Sequence, residues 1–207
     1  MNTPTIPRIK ICGLSRVEDI EAVNTFRPDY CGFVVNVPRS ARNVTDEQLA
    51  ALTGRLDPGI VAVGVFVDEP ITHIERLVRD SHIRVVQLHG HEAAAYVKHL
   101  RNRIPDVPVW QAFVVHDLDD VRRAYASDAD MVLLDAGRGV GQSFDWHMLS
   151  ACDRPFALAG GLDPGNARAA AATGAVMLDV SSGVETAGVK DPAKIKDFIT
   201  QVRTMEE

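Results

Sequence analysis

Three cysteines in 207 residues are too few, and too unevenly placed, to staple a fold. Cys12, Cys31 and Cys152 form an odd set that matches neither a disulfide framework nor a zinc-ligand spacing, so a reducing cytoplasm is the expected compartment. Long hydrophobic runs are missing: none approaches the roughly 18 apolar residues of a membrane span. The opening stretch MNTPTIPR lacks the apolar core of a secretory signal. Positive charge is in deficit, with a formal net charge of -6 and no basic stripe, which argues against nucleic acid as a partner. What is present is a chain 46% hydrophobic and 24% charged, without low-complexity tracts. Residues 1–207 are therefore expected to form one domain that buries a full-size core without disulfides or metals.

Short β-branched runs alternate with longer amphipathic segments. The runs are RIKIC (8–12), YCGFVV (30–35), IVAVGVFV (60–67), RVVQLH (84–89), VPVWQAF (107–113), DMVLLD (130–135), PFALA (155–159) and AVMLDVS (175–181). Their hydrophobicity is continuous, as in strands covered on both faces. Between them, Val17, Ile20 and Val23 recur at helical spacing, and Thr45 with Gln48 has the spacing of a capping box. Asp163-Pro164 and Asp191-Pro192 each read as an N-cap followed by proline at the first helical position, with Gly174 as a stop. The weakest helical signal lies near Asp145 to Ala151. Eight strands each followed by a helix predict a single α/β domain, a closed (β/α)8 barrel of the TIM type; an open doubly wound sheet is the competitor.

In such a barrel the site lies at the C-terminal ends of the strands. Those ends carry Cys12, His89 and Asp135, the glycines Gly160 and Gly161, and Ser181, Ser182 and Gly183; the polar loop NVPRSARN follows the second strand. Small residues in the last two loops suit a phosphate held by backbone N–H groups, although Gly and Ser also form ordinary turns. Cys31 and Cys152 read as small buried hydrophobes. Cys12 differs, because it ends a strand at the rim and Gly13 lets the chain turn away. Lys10 points to the same side of its strand, where its charge would favour the thiolate, with Asp179 on the neighbouring last strand as its expected counter-charge. Asp135 is either a loop cap or an acid whose pKa partial burial would raise. His89 either lines the pocket or is a hydrogen-bonded structural histidine. A base and an acid facing each other across the mouth suit proton transfers on a sugar phosphate. GRGVGQ has neither the spacing nor the βαβ context of a dinucleotide loop, and no metal cluster or nucleophilic triad is visible.

These motifs together resemble the phosphoribosylanthranilate isomerases of tryptophan biosynthesis, nearly end to end. KICGLSRVEDIEA looks like the first-strand signature, GFVV with PRSARNV like the second loop, and VGVFVDEP and VVQLHGHE like the third and fourth units. LLDAGRGVGQSFDW, LAGGLDPGNA and DVSSGVETAGVKD resemble the last three. The resemblance implies an Amadori rearrangement of N-(5-phosphoribosyl)anthranilate, with Asp135 as general acid and Cys12 as general base. It further implies that Arg42 contacts the anthranilate carboxylate and that Gly160–Gly161 and Ser181–Gly183 hold the phosphate, with His89 and Asp179 also at the substrate. No cofactor or metal is implied, and the expected partner is a small phosphosugar, with the protein a monomer or homodimer. Two departures stand out. An aromatic usual near Val35–Asn36 is missing beside an extra residue, and Arg138-Gly139-Val140-Gly141 replaces the usual glycine-rich run, bringing a positive charge close to Asp135.

Two alternatives differ in class. One is the related isomerase of histidine biosynthesis, whose barrels show two fused halves and an aspartate ending the first strand; this chain shows no half-repeat. The other is a catalytically silent phosphate-binding barrel, which would bind ligand without turnover.

Overall fold

The computed structural model describes residues 6–80, 82–135, 146–151 and 154–204. Eight parallel strands run β1 (Arg8–Cys12), β2 (Tyr30–Val35), β3 (Val61–Phe66), β4 (Val85–Leu88), β5 (Val109–Val114), β6 (Met131–Asp135), β7 (Phe156–Ala159) and β8 (Met177–Val180). Each pairs with its sequence neighbours, and β1 pairs with β8 through Lys10 opposite Asp179. The sheet closes on itself as the expected (β/α)8 barrel. A short strand, Asn43–Val44, extends β2, and a hairpin of Glu185–Thr186 with Val189–Lys190 sits above β8. Among the described residues no helix is long and apolar enough to cross a membrane.

Closure explains why the strands read as continuously apolar. Along each strand one set of side chains points outward to the helices, as do Ile9, Ile11, Cys31, Phe33, Val86, Leu88, Val132, Leu134, Leu158 and Leu178. The alternate set points inward, where Val63, Val85, Trp110, Leu133, Ala157 and Met177 form a separate cluster. Tyr30 and Trp110 meet there edge to face, with ring centroids 5.0 Å apart. This cluster occupies the barrel interior below the C-terminal ends of the strands.

The helices are α1 (Val17–Phe26), α2 (Asp46–Thr53), α3 (Ile71–Arg79), α4 (Ala94–Arg103), α5 (Leu118–Tyr125), α6 (Ala167–Ala171) and α7 (Pro192–Arg203). Thr45 and Gln48 form the reciprocal capping box, and the Asp191 carboxylate accepts from the Ala193 and Lys194 N–H groups beside Pro192. Two local expectations are corrected. Asp163 does not start a helix: its carboxylate accepts from Gly165 and Asn166 N–H in a turn, and α6 begins only at Ala167. Between β6 and β7 the segment Trp146–Ala151 is a 3-10 helix. The helical spacing of Val17, Ile20 and Val23 is met by α1, with Ile20 and Val23 buried and Val17 exposed at its start. Cys152, Asp145 and the GRGVGQ stretch with Arg138 lie outside the described residues.

Removing the Thr45 hydroxyl tests the local reading. Thr45→Ala should cost about 1 kcal/mol, lowering the urea midpoint with an unchanged m-value.

Candidate active site

Lys10 is wholly buried inside the barrel, with no exposed surface. An ammonium there is tolerable only with a partner, and its Nζ donates to Asp179 Oδ2 at 2.8 Å. The Cys12 sulfur lies on the same side of the strand, close enough for the two groups to shift each other's pKa. Gly32 makes room for the trio: a Cβ on it would lie 2.7 Å from Cys12 Sγ and 2.9 Å from Lys10 Nζ. Burial on its own would strip the proton from Lys10, but Asp179 and then Cys12 outweigh it and hold the ammonium above the ordinary lysine range. For Cys12 the balance runs the other way. Burial pushes its thiol up, Lys10 pulls it down, Asp179 pushes it up again, and the result is a raised pKa. The expectation that Lys10 favours the thiolate holds as a contribution but not as the net outcome, because the dry surroundings and the second carboxylate win. Cys31, on the outer face, is inert core, its thiol pushed far up by burial.

Cys12 and Asp135 line one cavity of about 380 Å³ at the barrel mouth. Its wall between them is aliphatic, made by Val34, Val65, Ala112, Val114 and Leu133. Asn36, where the expected aromatic is missing, is exposed, at φ 53°. His89 also lines the cavity, which settles its position in favour of the pocket, and its Nε2 lies 3.6 Å from Asp135 Oδ2. That distance is within ion-pair range and longer than a hydrogen bond.

Arg42 reaches the same cavity from the β2 loop, but its fork already holds a carboxylate. Nε donates to Glu185 Oε1 and Nη2 to Glu185 Oε2, both at 2.6 Å. The pair leaves the Nη1 edge of the guanidinium for another acceptor. Lys190, nearly as buried as Lys10, donates to Glu185 Oε1 at 2.6 Å and to the Ser181 carbonyl at 3.0 Å. Burial would raise the Glu185 carboxyl, yet Arg42 and Lys190 together pull it down to about 2. Ser181 Oγ in turn donates to the Cys12 carbonyl at 3.0 Å. The loops after β1, β2 and β8 are thus one hydrogen-bonded unit.

Gly160 and Gly161, at φ 83° and 68°, line the cavity with Ser181 and Ser182. Their positive φ values are what only glycine adopts without strain. Gly183 is not at the cavity wall: a Cβ there would fall 1.8 Å from the Leu162 carbonyl oxygen, so its role is to let the two last loops touch. The helix after β7 has five residues and the turn after β8 only three, Ser182–Val184, so these loops would offer individual backbone N–H groups to an anion, not long helix dipoles. Asp179 lines the cavity beside Cys12.

Residues 9–201 match the protein family described as N-(5'phosphoribosyl)anthranilate (PRA) isomerase. The chain belongs to the phosphoribosylanthranilate isomerase family. The isomerase of Zymomonas mobilis subsp. mobilis is 40% identical over 210 residues, covering 96% of this chain and 99% of its own. The crystal structure of the isomerase from Thermotoga maritima superposes with a TM-score of 0.86 at 33% identity, over 96% of this chain and all (100%) of its own. A phosphoribosylanthranilate isomerase solved with reduced 1-(o-carboxyphenylamino)-1-deoxyribulose 5-phosphate has a TM-score of 0.84 at 33% identity, with 96% of this chain and 100% of that one covered. In this member of the family, Glu185 and Lys190 were not legible from sequence, since a charged pair five residues apart in a polar loop carries no sign of burial.

The Glu185 cluster ties stability to pH. A carboxyl held at about 2 against an ordinary value of 4.5 contributes stability fully above pH 4.5 and loses it as pH falls toward 2. Denaturation of the wild type and Glu185→Gln across this window should show the two curves apart at neutral pH and converging near pH 2.

Proposed function

We propose that this chain carries out the family's Amadori rearrangement with Cys12 as general base and Asp135 as general acid. The observation that carries the reading is their placement on one cavity, from β1 and β6, with Arg42 and the last two loops around the same opening. Asp135 protonates the furanose ring oxygen of N-(5-phosphoribosyl)anthranilate, and the C1–O bond breaks to give an iminium. Cys12 then removes the C2 proton, whose electrons neutralise the iminium to an enolamine. Transfer of the O2 proton and protonation of C1 give the ketone, 1-(2-carboxyphenylamino)-1-deoxyribulose 5-phosphate.

The electrostatics support these roles. A thiol raised by burial is a stronger base once ionised, and the adjacent iminium and the Lys10 ammonium both favour the thiolate during the step. The Nη1 edge of Arg42 suits the anthranilate carboxylate, the aliphatic wall suits the ring, and Gly160, Gly161, Ser181 and Ser182 suit the phosphate. We assign the reaction to the cytoplasm and the working assembly to a monomer or homodimer; the Thermotoga maritima relative is described as dimeric, and monomers have been generated from it.

The test is loss of anthranilate-type fluorescence on adding the protein to freshly made phosphoribosylanthranilate. Cys12→Ala and Asp135→Asn should each lower kcat by roughly 10²–10⁴-fold, and an inert wild type would overturn the reading. Because the Cys12 pKa is raised, the limb of kcat/KM that it governs should climb with pH through neutrality, about tenfold per unit below that pKa.

A further inference from the structure

Gln87 is the one polar side chain pointing inward from β4, between Val85 in the barrel plug and His89 on the cavity wall. It lines the cavity, yet the residue is 1% exposed, and its register neighbours are Val65 on β3 and Trp110 on β5. Its Oε1 has no hydrogen-bond partner among the described residues. Its Nε2 has only His89 Nδ1, at 3.5 Å, the long limit for such a bond. Turning the amide over exchanges an orphaned oxygen for an orphaned amino group and does not remove the deficit. Buried amides are nearly always satisfied, so a glutamine held in this way needs a reason.

A second orphan lies opposite. Asp179 gives Oδ2 to Lys10, while its Oδ1, also buried, has no partner among the described residues and belongs to a side chain lining the same cavity. Strands β4 and β8 stand four apart in the closed ring, so the two residues reach the one cavity from opposite sides. Phosphate and carboxylate present only acceptors and would be repelled by Asp179. The group that satisfies an acceptor here is a donor without charge, and one that can also accept meets either orientation of the amide. A sugar hydroxyl has both properties.

We propose that Gln87 is a substrate-binding residue that, opposite Asp179, recognises a secondary hydroxyl of the phosphorylated pentose. The inference rests on the functional reading given above and adds to it a determinant of sugar specificity. An amide whose oxygen has no partner among the described residues binds the hydroxylated sugar without first giving up an internal protein partner. It also penalises an analogue that lacks the hydroxyl, because the polar group would then stay buried and unpaired.

The experiment compares wild type with Gln87→Met, which keeps the length of the side chain and removes its polar end, and with Gln87→Leu in case methionine packs poorly. Two quantities are read: the melting temperature of the free protein, and the Kd of the reduced product analogue 1-(o-carboxyphenylamino)-1-deoxyribulose 5-phosphate. Relief of an unpaired buried amide should raise the melting temperature by about 2–4 °C, while the Kd rises about tenfold. A structural glutamine would behave in the opposite way, and a fall in melting temperature in both variants overturns the proposal. Unchanged affinity in variants that bind alongside a binding wild type overturns it alone. A wild type that does not bind the analogue overturns the functional reading and, with it, the proposal.

Discussion

The ion pair between Lys10 and Asp179 holds the first strand to the last, inside the barrel, where neither charge would survive alone. Replacing such a pair by well-packed apolar groups would often stabilise a protein, so its presence is weak evidence for stability and better evidence for chemistry. Here the ammonium shares its side of the strand with the Cys12 thiol, and the carboxylate lines the cavity beside it. Gly32 is part of the same constraint, since the space beside it is the space the thiol and the ammonium occupy. The pair sits in the backbone ladder that closes the barrel, and the surroundings of the thiol depend on it.

Around the rim a second charged cluster does different work. Arg42, Glu185 and Lys190 join the loops after β2 and β8, and Ser181 carries the connection to the end of β1. Glu185 neutralises one face of the guanidinium and leaves the other for a ligand. The two clusters are built from different charges: the deeper one is a lysine–aspartate pair beside the Cys12 thiol, the upper one a carboxylate held by an arginine and a lysine. Both border a cavity with an aliphatic wall.

Much of this was legible in the amino-acid order. Buried strands of a parallel barrel announce themselves as continuous apolar runs, and a residue two places from Cys12 had to share its side of the strand, which put Lys10 beside it and Asp179 across from it. The cap pairs at Thr45 and Asp191 followed from local hydrogen bonding alone. Where the reading went astray, tertiary packing had overruled local preference: Asp163-Pro164 has the chemistry of a helix start, but the chain spends it on a turn that brings the last two loops together. The net rise of the Cys12 pKa was beyond sequence because it depends on how dry the site is. Gln87 was visible, a polar residue inside VVQLH on the same side as His89, and only the structure shows that its amide is unpaired.

Lys10 and Asp179 are 169 positions apart along the chain. As the polypeptide leaves the ribosome, the segment bearing the thiol emerges early, and every group that tunes it belongs either to its own strand or to the far end. No partial product of synthesis holds a weaker version of this site. Asp179 joins the surroundings of the thiol only when β8 arrives and the ring shuts, so the buried cluster is completed in the slow, long-range step of folding.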